Sequence, residues 1–412
     1  MKTPFGHLTY CSNIHPGITW ADHYSELKQS VPQIKAQLSS AQPMALGLRL
    51  ANQASIDLIE PNNLENFKNW LAENNLYVFT MNGFPYGGFH NTVVKDQVHA
   101  PDWTTSDRLQ YTLRMFHILA KIMPEDMIEG GISTSPLSYK YWWKNDFELN
   151  ETTKKATMNM LLVVEELIKI ETETGKILHL DIEPEPDGVL DNGHEFIRWY
   201  LDILLPLGIK FFENKGKTKI EAEETIKKHI QLCYDVCHFG VSYIEPQLFL
   251  NQLFNYQIKV GKIQISSALK VDFTENAEEK LKAISQYDEP TYLHQVVTKK
   301  TNGKLENYVD LTPALANFDA KTIQEWRVHY HVPIFTDSYG LLQSTQNEIV
   351  KVLSIQKNKP FTQHLEVETY TWAVLPTDIQ IPLNDSICRE MSWVKKQLDL
   401  EYFFYLTHFQ NS

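Results

Sequence analysis

The chain has 412 residues, of which 43% are hydrophobic and 22% are charged, as is ordinary for a globular protein with a large core. Its 38 basic and 51 acidic side chains give a net charge of −13, which argues against a broad surface for nucleic acid or anionic membranes. No stretch approaches the roughly 18–20 apolar residues that cross a bilayer, and the amino terminus does not resemble a signal peptide. The four cysteines are scattered, unlike a secreted disulfide framework. We therefore expect a cytoplasmic protein that neither binds nucleic acid nor inserts into a membrane.

Short apolar segments of strand character alternate with longer segments of helical period. The strand candidates in chain order are residues 8–12, 45–50, 77–82, 127–133, 177–183, 230–235, 260–266 and 364–371. The helical patterns cover residues 63–73, 108–122, 158–170, 196–205, 221–229 and 340–353. This alternation is typical of a parallel α/β sheet, and eight strands fit a single (β/α)8 TIM barrel. An open doubly wound sheet is the alternative, but the chain lacks the glycine-rich turns that bind dinucleotides or nucleotide phosphates.

The chain contains no internal repeat, low-complexity tract or flexible linker that would mark a domain boundary. We therefore predict one domain over residues 1–412, with a barrel core at about 8–376 and a C-terminal helical extension at 377–412. Segment 273–316 is long, charged and irregular, which indicates an insertion after the seventh strand that could act as a lid. A further extended run covers residues 327–335, between the seventh and eighth strands.

The carboxyl ends of the fifth and sixth strands carry acidic side chains and a histidine, at the barrel end where active sites lie. Glu183 follows the fifth strand and precedes a proline, which suits a metal ligand or a base. A solvated loop glutamate is the alternative. Asp235 ends the sixth strand and His238 lies in the turn beyond it, so both could face one ion. A helix-capping aspartate beside a hydrogen-bonded histidine would give the same spacing.

Polar side chains also mark the last part of the barrel. Gln264, on the seventh strand, could bind a polyol hydroxyl or could be an ordinary polar barrel residue. His329 and His331 alternate in an extended segment and so point the same way, and imidazole is a common metal ligand. One structural and one surface histidine would also fit. Glu368 shares a face of the eighth strand with Glu366, and two carboxylates there are costly unless paired or metal-bound.

Together these side chains predict one site with mixed oxygen and nitrogen ligands. The predicted metal ligands are Glu183, Asp235, His238, His329, His331 and Glu368. Such a set suits a divalent metal ion such as Mn²⁺, Co²⁺, Fe²⁺, Mg²⁺ or Zn²⁺. The residues predicted to bind substrate are His15, Asn82, His90, Trp103 and Gln264. Two of them flank residues 83–88, a glycine- and aromatic-rich run that suits stacking on a sugar ring or forms an ordinary turn.

These motifs resemble the xylose isomerase-like barrel superfamily, which includes sugar and sugar-phosphate isomerases and epimerases and the endonuclease IV type. The likeness covers about residues 8–376. It rests on Glu183, Asp235-x-x-His238, His329-x-His331 and Glu368-Thr369. More narrowly, the runs at 10–17, 82–87, 183–186 and 366–372 resemble the EboE family, which is named for metabolite traffic.

Two positions depart from the patterns of these families. Gln264 stands where the superfamily usually has a histidine on the seventh strand. His329-x-His331 stands where the endonuclease type usually has Asp-x-His. The identity of the seventh-strand ligand, and with it that of the metal, therefore stays open.

The resemblance implies a divalent-metal-dependent isomerase or epimerase acting on a small sugar, cyclitol or related polyol. In this interpretation Glu183 and Glu368 bind the metal and also exchange protons with the substrate. A metal-dependent phosphoesterase of the endonuclease IV type is the second hypothesis, which the charge of −13 disfavours. A non-catalytic metabolite-binding barrel is the third, and Gln264 in place of a histidine favours it.

Overall fold

The architecture is a closed barrel of eight parallel strands. A computed structural model of the chain describes residues 1–88, 94–371 and 381–399. The barrel strands, numbered 1 to 8 in chain order, are Gly6–Tyr10, Leu48–Arg49, Thr80–Asn82, Glu129–Thr134, Ile177–Ile182, Ile230–Asp235, Val260–Ile265 and His364–Val367. Neighbours in this order pair in parallel, and strand 8 pairs with strand 1. A parallel bridge between Cys11 and Gly47 joins strand 1 to strand 2. The predicted TIM barrel is thus confirmed.

Most of the helices connect the barrel strands. The α-helices are Trp20–Leu38, Asn52–Leu58, Pro61–Glu73, Ser106–Ile122, Asp146–Thr174, Gly193–Trp199, Leu205–Glu213, Lys219–His229, Val236–Val241, Pro246–Tyr256, Ala277–Ile284, Leu311–Ala316, Gln346–Asn358 and Leu383–Gln397. Shorter elements are the 3₁₀ turns Ser12–Ile14, Lys95–His99, Lys140–Trp142 and Ser285–Tyr287, the π-helical turn Tyr200–Leu204, and the short strands Lys2–Thr3, Met44–Ala45 and Leu76–Tyr77. Among the helices within the described ranges, none combines the length and apolar content that crossing a membrane requires.

One helix is much longer than its predicted pattern at 158–170. It runs over Asp146–Thr174 because both of its ends have specific capping residues. The side chain of Asn145 accepts a hydrogen bond from the backbone N–H of Glu148, and Gly175 ends the helix with a φ of 72°. The apolar stripe alone therefore located the centre of the helix but not its ends.

The segment between strands 7 and 8 forms a second, antiparallel sheet. Its strands are Ala268–Asp272, Val296–Lys300, Leu305–Tyr308, Ile323–His331, Ser338–Tyr339 and Leu342–Ser344. This sheet, hereafter the inserted sheet, has its own apolar core, which includes Trp326 and Val328. The insertion is therefore longer and more regular than the irregular segment expected at 273–316. Ala268 pairs with His331, which brings the end of the long strand Ile323–His331 to the carboxyl end of the barrel.

A fully buried ion pair fills the interior of the barrel below the strand ends. Lys262 Nζ lies 2.6 Å from Glu366 Oε2 and also donates to the hydroxyl of Ser133. A Cβ atom at Gly47 would lie 1.9 Å from Glu366 Oε1, so only glycine leaves room for this carboxylate. The charge of Glu366 is therefore paired inside the barrel, whereas Glu368 lies one pleat further on.

The C-terminal helix Leu383–Gln397 places a buried acid against the barrel. Glu390 accepts hydrogen bonds from the hydroxyl of Thr369 at 2.7 Å and from the backbone N–H of Ile334 at 3.2 Å. Burial raises the pKa of Glu390 from its usual 4.5 to about 7, because desolvation outweighs these hydrogen bonds. Between those two values the folded state binds more protons than the unfolded state, so stability falls as the pH rises.

We expect Glu390→Gln to reduce this pH dependence. The amide keeps an acceptor oxygen and carries no charge, so the variant should gain on the order of 1–3 kcal/mol over the parent at pH 8 and little at pH 5. Urea unfolding at the two pH values measures the difference. The exposed Asp385→Asn on the same helix serves as the control. A stability that falls as steeply in Glu390→Gln as in the parent would contradict the assignment.

Candidate functional site

Three buried carboxylates converge at the carboxyl end of the barrel. Glu183 follows strand 5, Asp235 ends strand 6 and Glu368 follows strand 8. One oxygen of each lies within 4.8 Å of the others, and the residues are only 0–5% exposed. Among the described residues, no lysine or arginine forms an ion pair with any of them. Three carboxylates this close repel one another unless a cation or protons compensate the charge.

Three imidazoles approach the same carboxylates. Nδ1 of His238 donates to the carbonyl of Pro184, and Nδ1 of His331 donates to the carbonyl of Glu368. Nδ1 of His329 lies 2.8 Å from the amide oxygen of Gln295, so it also donates. The Nε2 atoms of all three rings are then bare acceptors, and those of His238 and His329 lie only 3.1 Å apart.

Two atoms at the centre of this group have no hydrogen-bond partner among the described residues. They are Oδ2 of Asp235 and Nε2 of His331, both fully buried. One ligand atom each of Asp235, His238 and His331 lies within 4.8 Å of the other two. Acceptor atoms that lie close together, with no hydrogen-bond donor between them, have the arrangement that a cation requires. The donor set therefore fits a divalent metal ion.

Burial shifts the pKa values of these groups. For the histidines the shift favours the neutral ring, which is the form that binds a metal ion. Desolvation lowers the pKa of His331 to about 4 and that of His329 well below its usual range, so both rings are neutral. Desolvation raises the pKa of Glu368 to about 8 and that of Glu183 well above its usual range, and neighbouring carboxylates add to both shifts. A cation would have to displace protons from these two acids.

Amide side chains orient the carboxylate of Glu368. Nδ2 of Asn82 donates to Oε1 at 2.8 Å, and Nδ2 of Asn13 donates to the same oxygen at 2.7 Å. Gln264 donates to the other oxygen, and its Nε2 also lies 3.3 Å from Glu183. On strand 7, Gln264 therefore donates hydrogen bonds to Glu368 and Glu183. The imidazole of His331 comes from the inserted sheet.

A pocket with a cavity volume of about 60 Å³ opens above the carboxylates. Its wall is formed by Asn13, Asn82, Phe84, Pro85, Lys95, Val98, His99, Glu183, Glu185, His238, Tyr292, Leu293, His329, Glu368 and Tyr370. Barrel loops and the inserted sheet both contribute, so the insertion forms one side of the site.

The residues predicted to bind substrate occupy different places. Asn82 lies in the pocket wall and contacts Glu368. Trp103 is fully buried outside the wall, where its Nε1 donates to the hydroxyl of Thr134 at 3.0 Å. His15 is also buried outside the wall and lies 3.0 Å from the hydroxyl of Tyr10. His90 lies outside the described residues.

Several wall residues were not among the predicted ones. His99 and Tyr292 have no neighbouring motif that would single them out. Asn13, Glu185 and Tyr370 lie within the runs 10–17, 183–186 and 366–372 that carry the family resemblance.

Comparison with known proteins supports the fold. No family model matches the sequence, and no curated protein matches it at a significant level. A protein of Anabaena variabilis assigned as a sugar phosphate isomerase/epimerase aligns with a TM-score of 0.50 and 11% identity, over 96% of this chain and 99% of that chain. A xylose isomerase domain protein of Alicyclobacillus acidocaldarius aligns at 0.45 and 10% identity, over 96% and 98%. The IolI protein, whose structure holds a zinc atom, aligns at 0.47 and 9%, over 95% and 98%. At such identities the likeness shows the barrel fold alone.

Proposed function

We propose that the protein is a divalent-metal-dependent isomerase or epimerase that acts on a sugar, cyclitol or related polyol. The observation that carries this proposal is the meeting of Glu183, Asp235 and Glu368 within 4.8 Å at the carboxyl end of the barrel, beneath a pocket. The motifs at 10–17, 82–87, 183–186 and 366–372 support a closer relation to the EboE family. The four free, buried cysteines support a cytoplasmic location.

The residues that would hold the metal are Glu183, Asp235, His331 and Glu368, with His238 and His329 beside them. The unpartnered Asp235 Oδ2 and His331 Nε2 support this assignment. Mixed carboxylate and imidazole ligands suit Mn²⁺, Co²⁺, Mg²⁺ or Zn²⁺. A metal ion bound there would act as a Lewis acid toward the carbonyl and a neighbouring hydroxyl of the substrate.

The proton transfers fall to the two glutamates. One carboxylate accepts a proton from the carbon next to the substrate carbonyl. The other carboxyl group returns a proton to the opposite face of the same carbon in an epimerisation, and to the former carbonyl carbon in an isomerisation. The amides of Asn13, Asn82 and Gln264 hold Glu368 in one orientation. A proton leaves one C–H bond while its electron pair stays in the substrate as an enediolate, and a proton is then returned to carbon, so the reaction needs no oxidant or reductant.

Hydrogen exchange tests this proposal. Protein loaded with Mn²⁺ is incubated in D₂O with D-fructose, D-glucose and an inosose, and deuterium next to the carbonyl is followed by NMR. We expect exchange by the parent and a loss of about 100-fold or more in Glu183→Gln and in Glu368→Gln, because each removes one proton-transfer group. Glu65→Gln, an exposed surface change, is the control and should exchange normally.

Other outcomes would replace the proposal. A fully metal-loaded protein that exchanges no hydrogen in any of these compounds, but cleaves DNA at abasic sites, would favour the phosphoesterase hypothesis. A protein that binds neither Mn²⁺ nor Zn²⁺ stoichiometrically would favour the non-catalytic binding barrel.

A further inference from the structure

The pocket wall contains far more acidic than basic groups. Three carboxyl side chains line it, whereas among the described residues of the wall Lys95 is the one lysine or arginine. Lys95 Nζ lies 2.7 Å from Asp310 Oδ2, so its charge is already paired. The segments 89–93, 372–380 and 400–412, outside the described ranges, contain no lysine or arginine in the sequence. The pocket therefore offers no spare cationic side chain for a phosphate group.

Two buried arginines lie behind the wall, and their hydrogen bonds go to the backbone. Arg49 donates to the carbonyls of Pro85 and Gly87. Arg108 donates to the carbonyls of Pro101, Gly83 and Phe84. Neither arginine is part of the pocket wall, and the hydrogen bonds of both hold the loop at 83–87 in place. Nε of Arg49 and Nη2 of Arg108 have no hydrogen-bond partner among the described residues.

One histidine of the pocket wall makes no side-chain hydrogen bond among the described residues. His99 is fully buried, and neither Nδ1 nor Nε2 has a hydrogen-bond partner within the part of the chain that the structure describes. Its ring packs among Phe84, Tyr139 and Trp142, at centroid distances of 5.6, 5.3 and 6.4 Å. Leaving a buried polar group unpaired costs free energy, so a ring held in such a position is suited to a ligand that supplies the bonds.

The chemistry of this ring indicates what kind of group it would bind. Burial is the main cause that lowers the pKa of His99 to about 3, so the ring is neutral at physiological pH. A neutral imidazole has one N–H donor and one acceptor nitrogen. A hydroxyl group can both donate and accept, whereas a phosphate dianion only accepts. His99 thus matches a hydroxyl, and its neutral ring adds no charge that would attract a phosphate.

We propose that the substrate of this pocket is an uncharged polyol, and that His99 is a specificity-determining residue that hydrogen-bonds one of its hydroxyl groups. This inference rests on the proposed function, since it assigns the substrate class of the same site. It favours free sugars over sugar phosphates as substrates, a distinction that the fold alone does not make.

Binding measurements on the whole chain test the substrate class. The probes are D-fructose and myo-inositol, each compared with its phosphate ester, D-fructose 6-phosphate and myo-inositol 1-phosphate, by calorimetry on Mn²⁺-loaded protein. We expect at least one uncharged probe to bind about tenfold or more tightly than its ester, because the ester places its charge beside carboxylates. Tighter binding of the esters, or no binding of either kind, would overturn the inference.

Variants of His99 test the specific contact. His99→Phe fills the same space without hydrogen bonds and should weaken polyol binding about tenfold, whereas His99→Gln keeps a donor and an acceptor and should lose about threefold or less. The control is His364→Phe, which alters an equally buried histidine with an unpartnered Nδ1 at the opposite mouth of the barrel. It should leave polyol binding unchanged.

Deoxy analogues of the bound polyol, measured on the parent protein, give an answer even if His99→Phe does not fold. One analogue should lose about tenfold in affinity, and no loss with any analogue would overturn the inference. Metal content and hydrogen exchange test the proposed function without reference to His99. A protein that keeps both activities yet prefers phosphate esters would refute this inference alone.

Discussion

Asp235→Asn is expected to abolish divalent-metal binding while it preserves the fold. Oδ1 of Asp235 accepts hydrogen bonds from the hydroxyl of Ser266 at 2.6 Å and from the backbone N–H of His238 at 3.2 Å. An asparagine can keep both of these with its own Oδ1. Its NH₂ group then takes the place of the unpartnered Oδ2, where it offers protons to the site in place of a lone pair.

The loss of affinity should be large. Substitution of groups that merely support a metal ligand costs about 10–100-fold in affinity, and loss of a carboxylate ligand should cost about 100-fold or more. The metal-free variant should be at least as stable as the metal-free parent, because one of three mutually repelling carboxylates is neutral and the new NH₂ group can donate to His331. Metal analysis after dialysis and thermal unfolding with and without Mn²⁺ measure the two effects.

Asp181→Asn is the matched control for this experiment. Asp181 is an equally buried aspartate on neighbouring barrel strand 5, and it too has one paired and one unpartnered oxygen. Its paired oxygen lies 2.6 Å from Nδ1 of His179, away from the carboxylates of the site. The control should therefore keep its metal and lose stability. Retention of full metal content by Asp235→Asn would show that the site is wrongly assigned.

His331→Ala should have the second largest effect on metal binding. His331 belongs to the inserted sheet, and its Nδ1 is fixed by the carbonyl of Glu368, so Nε2 is held toward Asp235. We expect the metal affinity to fall about 10–100-fold, as for loss of one neutral ligand among several. Calorimetric titration with Mn²⁺ and Zn²⁺ measures the change.

Two further variants determine which part of the chain supplies the imidazole ligand. His294→Ala changes a buried histidine of the same insertion, which contacts the carbonyl of His329 and the carboxylate of Glu289, and it should leave metal affinity within about threefold of the parent. Gln264→Ala removes the strand-7 side chain and should weaken metal binding less than His331→Ala. The opposite order would assign the ligand to strand 7 and make His331 a structural residue.

The barrel could be predicted from the sequence because its signals are local. Each strand is a short apolar run, and a polar side chain at the end of such a run must lie at the mouth of the barrel. Glu183, Asp235 and Glu368 were therefore predicted from their neighbours alone. Their mutual distance follows from barrel closure, which the alternation of elements already implied.

Other parts of the site depend on contacts between distant segments, which no local pattern reveals. His99 has its proposed role because three aromatic rings from two separate segments surround it. Trp103 lies near the glycine-rich loop in sequence, yet its ring turns inward to Thr134. Glu366 shares a face with Glu368, but only the register between strands 7 and 8 shows that Lys262 lies close enough to pair with it.

The most direct test of this account is the position of a bound metal ion. Crystals grown with Mn²⁺ should give one anomalous difference peak between the carboxylates of Glu183, Asp235 and Glu368 and Nε2 of His331, at ligand distances of about 2.0–2.3 Å. A peak at another place, or none at these side chains in protein that binds Mn²⁺ stoichiometrically in solution, would contradict it.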